Sequence, residues 1–262
     1  LVLPRPDDLI TKSGFTVAGT WLGAIVSSPQ AMAPLIVLVV SIEFLAYQAR
    51  YQWNDIRGAD EDQSAPCAAA RGRLPGGAGN IPASFAAMVM RIALVGWAVA
   101  LIDDVTPWST HACVVLAVSV PAVFSLALVY EALRATIRRR GCSPMLLGLV
   151  LSVVSLGYPL RFWLGWSASG GTWSVGLGLT LIALSALGVL FVSLTWVLEA
   201  FSYVVDVNSD EDHAYWANET ISGKDHLRRL ALACGFDLVP GAARVGGLGG
   251  KKFRPVGLSR QP

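Results

Sequence analysis

Charge is what this sequence has least of. Asp, Glu, Lys and Arg make up 15% of its 262 residues, against about 25% in an ordinary soluble domain. They are almost absent from long blocks and crowded between them, which excludes a soluble chain with a solvated surface all round. The net charge of +2 leaves no bulk field for nucleic acid. Cysteine is scarce too. Cys67, Cys113, Cys142 and Cys234 stand far apart with no CxxC pair, so neither a disulfide framework nor a zinc site is indicated. The three histidines (His111, His213 and His226) fall in loops without ligand spacing and read as surface residues. A cleavable signal peptide is not evident, and Leu1 in place of Met leaves room for a preceding segment.

What the chain has in quantity is apolar runs. Six blocks, roughly 13–29, 31–51, 84–102, 112–133, 144–165 and 173–205, approach or exceed the ~20 residues that cross the hydrocarbon. The fold class expected is an all-α polytopic membrane bundle of about six spans. Residues 1–205 form the bundle and 206–262 a cytoplasmic tail that is basic and glycine-rich. The first block is short and counts as a span only if its Ser, Thr and Gly residues pack against neighbours. With the N-terminus inside, the inner segments collect Arg5, Lys12, Arg50, Arg57, Arg71, Arg73, Arg134, Arg138, Arg139, Arg140 and the basic tail, while the outer loops near 29, 106 and 169 hold no Lys or Arg. That asymmetry is the positive-inside pattern. Arg91 and Arg161 alone fall within spans. Arg161 sits near an outer end, so snorkelling outward is expected, with pairing to an interior acid as the alternative. Trp108, Trp166 and Trp173 suit interfacial anchoring. The glycines near 246–250 follow no strand and open no helix, so they are not a nucleotide loop.

Two acidic groups follow spans on the basic side: Asn54-Asp55 through Asp60-Glu61-Asp62, and Asp206 through Asp210-Glu211-Asp212. Asp206 and Asp210, four apart, share a helical face and repel unless a cation lies between them. Clustered hard oxygen donors suit Mg²⁺, usually with substrate phosphates completing the shell. The alternative is a pair of solvated loops, which is less natural beside an anionic membrane surface. The helices leading in also match. Glu43, Tyr47 and Asn54 repeat the spacing of Glu199, Tyr203 and Asp210. Glu43 and Glu199 lie deep in apolar blocks, where an ionisable residue usually faces a polar interior. Two related helices flanking one cavity are one reading, and chance is the other.

At these residues the chain resembles the UbiA-type superfamily of intramembrane prenyltransferases, of which 4-hydroxybenzoate polyprenyltransferases are members. Asn54, Asp55 and Asp62 match three of four positions of its Asn-Asp-x-x-Asp-x-x-x-Asp motif, with Gly58 departing at the third. Asp206 and Asp210 match its Asp-x-x-x-Asp motif. Arg71-Gly72-Arg73-Leu74-Pro75, Tyr130 with Arg134 and Arg138, Gly157-Tyr158-x-x-Arg161-x-x-x-Gly165 and Gly223-Lys224 are similar to further family patterns. The family has nine spans where this chain offers six. A fragment, one part of a split gene and a degenerate member are therefore all open.

The resemblance implies Mg²⁺ held by Asn54, Asp55, Asp62, Asp206 and Asp210. Arg71, Arg73, Tyr130, Arg134, Tyr203 and Lys224 would lie on the substrate. The partners implied are a prenyl diphosphate, a small-molecule or lipid acceptor, and membrane lipids. An inner cell membrane with the acidic motifs cytoplasmic is the implied location. Acceptor, prenyl length and oligomeric state are not legible. Two rivals stand beside this: a non-catalytic transporter or assembly partner, and a CDP-alcohol phosphatidyltransferase. The latter needs its aspartates within one short stretch, which these are not.

Overall fold

Inside a bilayer a backbone amide has no water to turn to, so an apolar block closes its hydrogen bonds within a helix. The computed structural model describes residues 6–27, 32–59, 77–103, 109–140 and 143–206, with 6–8, 10, 27, 32–34, 77–78, 102–103, 109–110, 138 and 197–206 described by backbone alone, and every element among them is helical. In chain order these are α1 (Pro6–Ser27), α2 (Met32–Val40), a π-helical stretch (Ser41–Tyr47), α3 (Gln48–Arg57), a 3-10 turn (Gly77–Asn80), α4 (Ile81–Asp103), α5 (Ser109–Arg140), α6 (Pro144–Ser155), α7 (Gly157–Ala168) and α8 (Val175–Asp206). Among the described residues four stretches are long and apolar enough to cross a membrane: Ile81–Leu101, His111–Ile137, Pro144–Ala168 and Val175–Trp196. The described residues are thus all-α, and the four apolar helices mark a membrane protein. Large apolar side chains on its outer surface, among them Trp21, Trp97, Ile182 and Leu190, are what a lipid-facing surface requires.

The helices run longer than the apolar blocks that signal them. The second block continues through a rod of 26 residues, because Val40 and Gln48 at the two joints keep right-handed helical backbone. Asn54 and Asp55 therefore lie on helix α3, not on a loop after it. Likewise α6 and α7 are joined through Leu156, whose φ −59° and ψ −16° carry the helix on. Ser143 caps this helix, its Oγ accepting from the Leu146 amide at 3.2 Å, with Pro144 in the first turn. At the far end Gly170 takes φ 87°. The Gly171 amide reaches the Trp166 carbonyl at 2.9 Å and Gly170 the Ser167 carbonyl at 3.1 Å. This is a Schellman stop, which needs the left-handed residue that glycine supplies.

Contacts fix the direction of each helix. Cys113 Sγ donates to the Val99 carbonyl at 3.1 Å, so α4 and α5 run antiparallel about the 104–108 connection. Arg57 pairs with Glu131 at 3.3 Å, bringing the end of α3 beside the last third of α5. Gly188 of α8 lies against Ser155 and Tyr158, and Val192 packs with Leu147 and Leu151. Hence α8 runs back toward the start of α6, and its last residue, Asp206, is at the end of the bundle where α3 and α5 also finish. The rod of α2, the π stretch and α3 is central, packed against α1, α4, α5 and α7.

The closest helix pair is α1 with α7, and small residues make it. A β-carbon added to Gly19 would sit 2.1 Å from the Phe162 carbonyl oxygen; one on Gly23, 2.3 Å from Ser169 Oγ; one on Gly165, 2.4 Å from the Thr16 carbonyl. Gly19 and Gly23 form a GxxxG pair, the arrangement that lets backbones touch where lipid gives no hydrophobic drive to association. The condition set on the first block is met: its Thr and Gly residues pack on a neighbour. Gly165→Val should therefore lower the thermal midpoint in detergent by several degrees, equivalent to about 1–3 kcal/mol of overpacking. Gly148→Ala, at a position with open space around it, should leave the midpoint equal or raise it. Equal midpoints for the two variants would refute the close-contact account.

Candidate functional site

Polar side chains gather in the middle of this apolar bundle, starting from Glu43 on the π stretch. Glu43 is 1% and Arg161 of α7 is 3% exposed. Arg161 Nε donates to both carboxylate oxygens, at 3.0 and 3.2 Å. Its Nη2 donates to the Tyr51 hydroxyl at 3.0 Å and its Nη1 to the Gly157 carbonyl at 3.4 Å. The guanidinium carbon lies 3.5 Å from the centre of the Tyr47 ring. Thr16 of α1 donates its hydroxyl to Glu43 Oε1. Each guanidinium nitrogen and each carboxylate oxygen of the pair thus has a protein partner, drawn from α1, the π stretch, α3 and α7. Arg161 does not snorkel outward. An acid at its own depth neutralises it, and the stacked Tyr47 face and Tyr51 hydroxyl replace water around the cation. Glu43 faces a polar interior, as its depth required.

A second polar line descends α3. Gln48, Gln52 and Asp55 are all at most 1% exposed and follow at steps of four and three, one helical face. Gln52 Oε1 accepts from Arg91 Nη1 of α4. Asn54, next to Asp55, has a buried Oδ1 with no hydrogen-bond partner among the described residues. Gly58, the departing motif position, caps α3: its amide donates to the Asn54 carbonyl at 3.0 Å, with φ −87° and ψ 5°. The helix ends there, and the position supplies a turn instead of a ligand.

Of the basic residues singled out, Arg134 lies on α5 over the Tyr130 ring, 5.7 Å from its centre, and pairs with Glu131 at 3.2 Å. Glu131 also holds Arg57. These three charges and Tyr130 thus meet near the end of α3. Asp62, Arg71, Arg73, Asp210 and Lys224 lie outside the described residues, as does most of the 206–262 tail; for Tyr203 and Asp206 the backbone of α8 alone is described. Among the described residues no group of three or more His, Cys, Asp and Glu side chains is arranged around a common point. His111 is exposed, but it lies in the first turn of α5 and not in a loop.

Sequence reasoning passed over Gln48, Gln52, Thr16 and Glu131. The glutamines were visible as a four-then-three spacing ending on Asp55. Thr16 and Glu131 carried no signal of their own, since each depends on which helices are neighbours. Comparison with family models, curated proteins and solved structures gives no match for this chain.

Removing one member of the Glu43–Arg161 pair leaves a charge buried without its counterion, which costs about 3–5 kcal/mol. Arg161→Met or Glu43→Leu should each lower the thermal midpoint sharply. The double variant Glu43→Leu/Arg161→Met should recover much of the loss, giving a large coupling energy in a double-mutant cycle. Additive losses would show that the pair is not coupled.

Proposed function

We propose that this chain is a Mg²⁺-dependent membrane prenyltransferase of UbiA type, moving a prenyl group from its diphosphate to an acceptor. In this reading α1 and the α2–α3 rod count as spans beside the four apolar helices, giving six. The ends of α3, α5 and α8 lie on the cytoplasmic side, where the basic segments gather. The observation that carries the reading is the pairing of Asn54 Oδ1, buried and lacking a hydrogen-bond partner among the described residues, with the adjacent buried Asp55 carboxylate, at the bundle end where α8 also finishes.

Those two oxygens are hard donors and fit Mg²⁺, which is commonly held by one or two carboxylates with phosphate oxygens and water filling the rest. Asp62, Asp206 and Asp210 would join them. A Mg²⁺ ion held there would supply charge neutralisation for a departing diphosphate. The chain's own groups do the remaining work. Asn54 and Asp55 orient the site from the last turns of α3, where the negative end of the helix favours a cation. Arg134, steadied by Glu131 and Tyr130, offers a guanidinium to phosphate oxygens as negative charge develops, with Arg71, Arg73 and Lys224 as further cations and Tyr203 near Asp206. The apolar walls hold the prenyl tail and keep water from the reacting carbon.

A buried ion pair such as Glu43–Arg161 also suits a transporter or an assembly partner, and one titration separates the classes. Purified full-length chain should bind geranylgeranyl diphosphate about 100-fold more tightly with Mg²⁺ than with EDTA, the scale of a strong electrostatic contact. The Asp55→Ala/Asp206→Ala variant should lose that increment. An affinity indifferent to Mg²⁺ would overturn the enzyme reading and favour the non-catalytic class.

A further inference from the structure

Gln48 and Gln52 sit one turn apart on α3, and the protein leaves most of their amide chemistry unused. Gln48 is fully buried and Gln52 is 1% exposed. Both amide atoms of Gln48, and Nε2 of Gln52, have no hydrogen-bond partner among the described residues. The bond that is made runs from Arg91 Nη1 to Gln52 Oε1. Arg91 is itself 7% exposed, midway along the apolar helix α4. A buried polar group without a partner is costly in any protein interior, and more so where lipid replaces water outside. Leucine at position 48 would carry no such penalty, so packing alone does not account for a glutamine there, while Gln52 is explained only in part by the bond it accepts from Arg91.

The unused atoms are unequal in kind. Each Nε2 brings two N–H donors, while Gln48 Oε1 is the single unused acceptor. Donors in excess beside a guanidinium are complementary to an oxyanion, because charge-assisted bonds to carboxylate or phosphate are the strongest such groups form. The lone acceptor suits a hydroxyl or a protonated oxygen on the same head group. Gln48 lies seven residues before Asp55, about 10 Å along the helix. A group bound at Asp55 does not reach Gln48, and Gln52, about 4.5 Å from Asp55 along the helix, is the end of the line nearest to it.

We propose that Gln48, Gln52 and Arg91 form a seat between α3 and α4 for a carboxylate or phosphate-monoester head group, separate from the carboxylates at the end of α3 and independent of metal. The chemistry is shared by a lipid-borne acid and a small soluble one, and the test tells them apart. It goes beyond the prenyltransferase reading and stands if that reading falls, since it is measured with EDTA present throughout.

The full-length chain in a neutral detergent is titrated with decanoate, benzoate and inorganic phosphate, with decanol as the uncharged control. Saturable binding of at least one anion, absent with decanol, is expected. Decanoate alone assigns the seat to a lipid-borne acid; benzoate or phosphate assigns it to a soluble one. Gln48→Leu and Gln52→Leu should each weaken that binding at least tenfold; Gln48→Leu should also raise the thermal midpoint of the unliganded protein, whereas Gln52→Leu, which takes an acceptor from buried Arg91, should lower it. Gln48→Glu, which sets a carboxylate against the anion, should weaken it further. Anions that bind no better than decanol, or variants that bind as well as the parent, overturn the proposal. So does a lowered midpoint in Gln48→Leu, which would mean that its amide serves the fold.

Discussion

The bond between Arg161 and Glu43 sets the terms for everything around it. Neither charge can stay inside the bundle without the other, because isolated ions are expelled from an apolar medium. Keeping them together requires four elements to meet at one depth: α1 for Thr16, the π stretch for Glu43, α3 for Tyr51 and α7 for Arg161. The π stretch belongs to that requirement. Its wide turn is a rare local geometry, and it falls on the segment that carries both Glu43 and Tyr47 onto Arg161.

Close approach of α1 and α7 follows from the same demand. A threonine hydroxyl is short, so Thr16 reaches the carboxylate only if its backbone lies near the α7 side of the site. The absent side chains of Gly19, Gly23 and Gly165 allow it. Tight apolar contact and buried polar network reinforce each other here. Loosening the glycine seam would lengthen the bonds of the ion pair, and losing the pair would remove the reason for two backbones to touch. The Tyr158 ring, edge-on to Phe15 of α1 at 5.1 Å and to Phe191 of α8 at 6.0 Å, extends this coupling toward the outer helix.

Much of the helical architecture was legible in the sequence because lipid imposes a length on apolar runs, and α4 through α8 fall on the four later blocks within a few residues at most of their starts and ends, except where α5 runs on as far as Arg140. The ends were harder. Polar residues such as Asn54 and Asp55 read as loop by composition, yet helix propagation carries through them to Gly58, since nothing earlier breaks the backbone ladder. Glu43 was recognisable as an interior acid from depth alone. Its partner was not, because a single arginine near a span end is equally consistent with reaching outward. Deciding between them requires knowing that α7 lies beside the π stretch. The buried glutamines had the right spacing, but spacing does not say which face is covered. The basic and acidic segments beyond Asp206, on which the sequence places half of the acidic motif pair, lie outside the described residues.

The glycine seam has a consequence for how the chain is made. Gly165 is encoded 149 residues after Thr16, so at ~5–20 residues per second the first helix waits on the order of ten seconds for its partner to leave the ribosome. Its groove of glycines and threonines offers little to lipid in the meantime. Until α7 is made, that groove has none of the packing that Phe162, Gly165 and Ser169 give it in the finished fold.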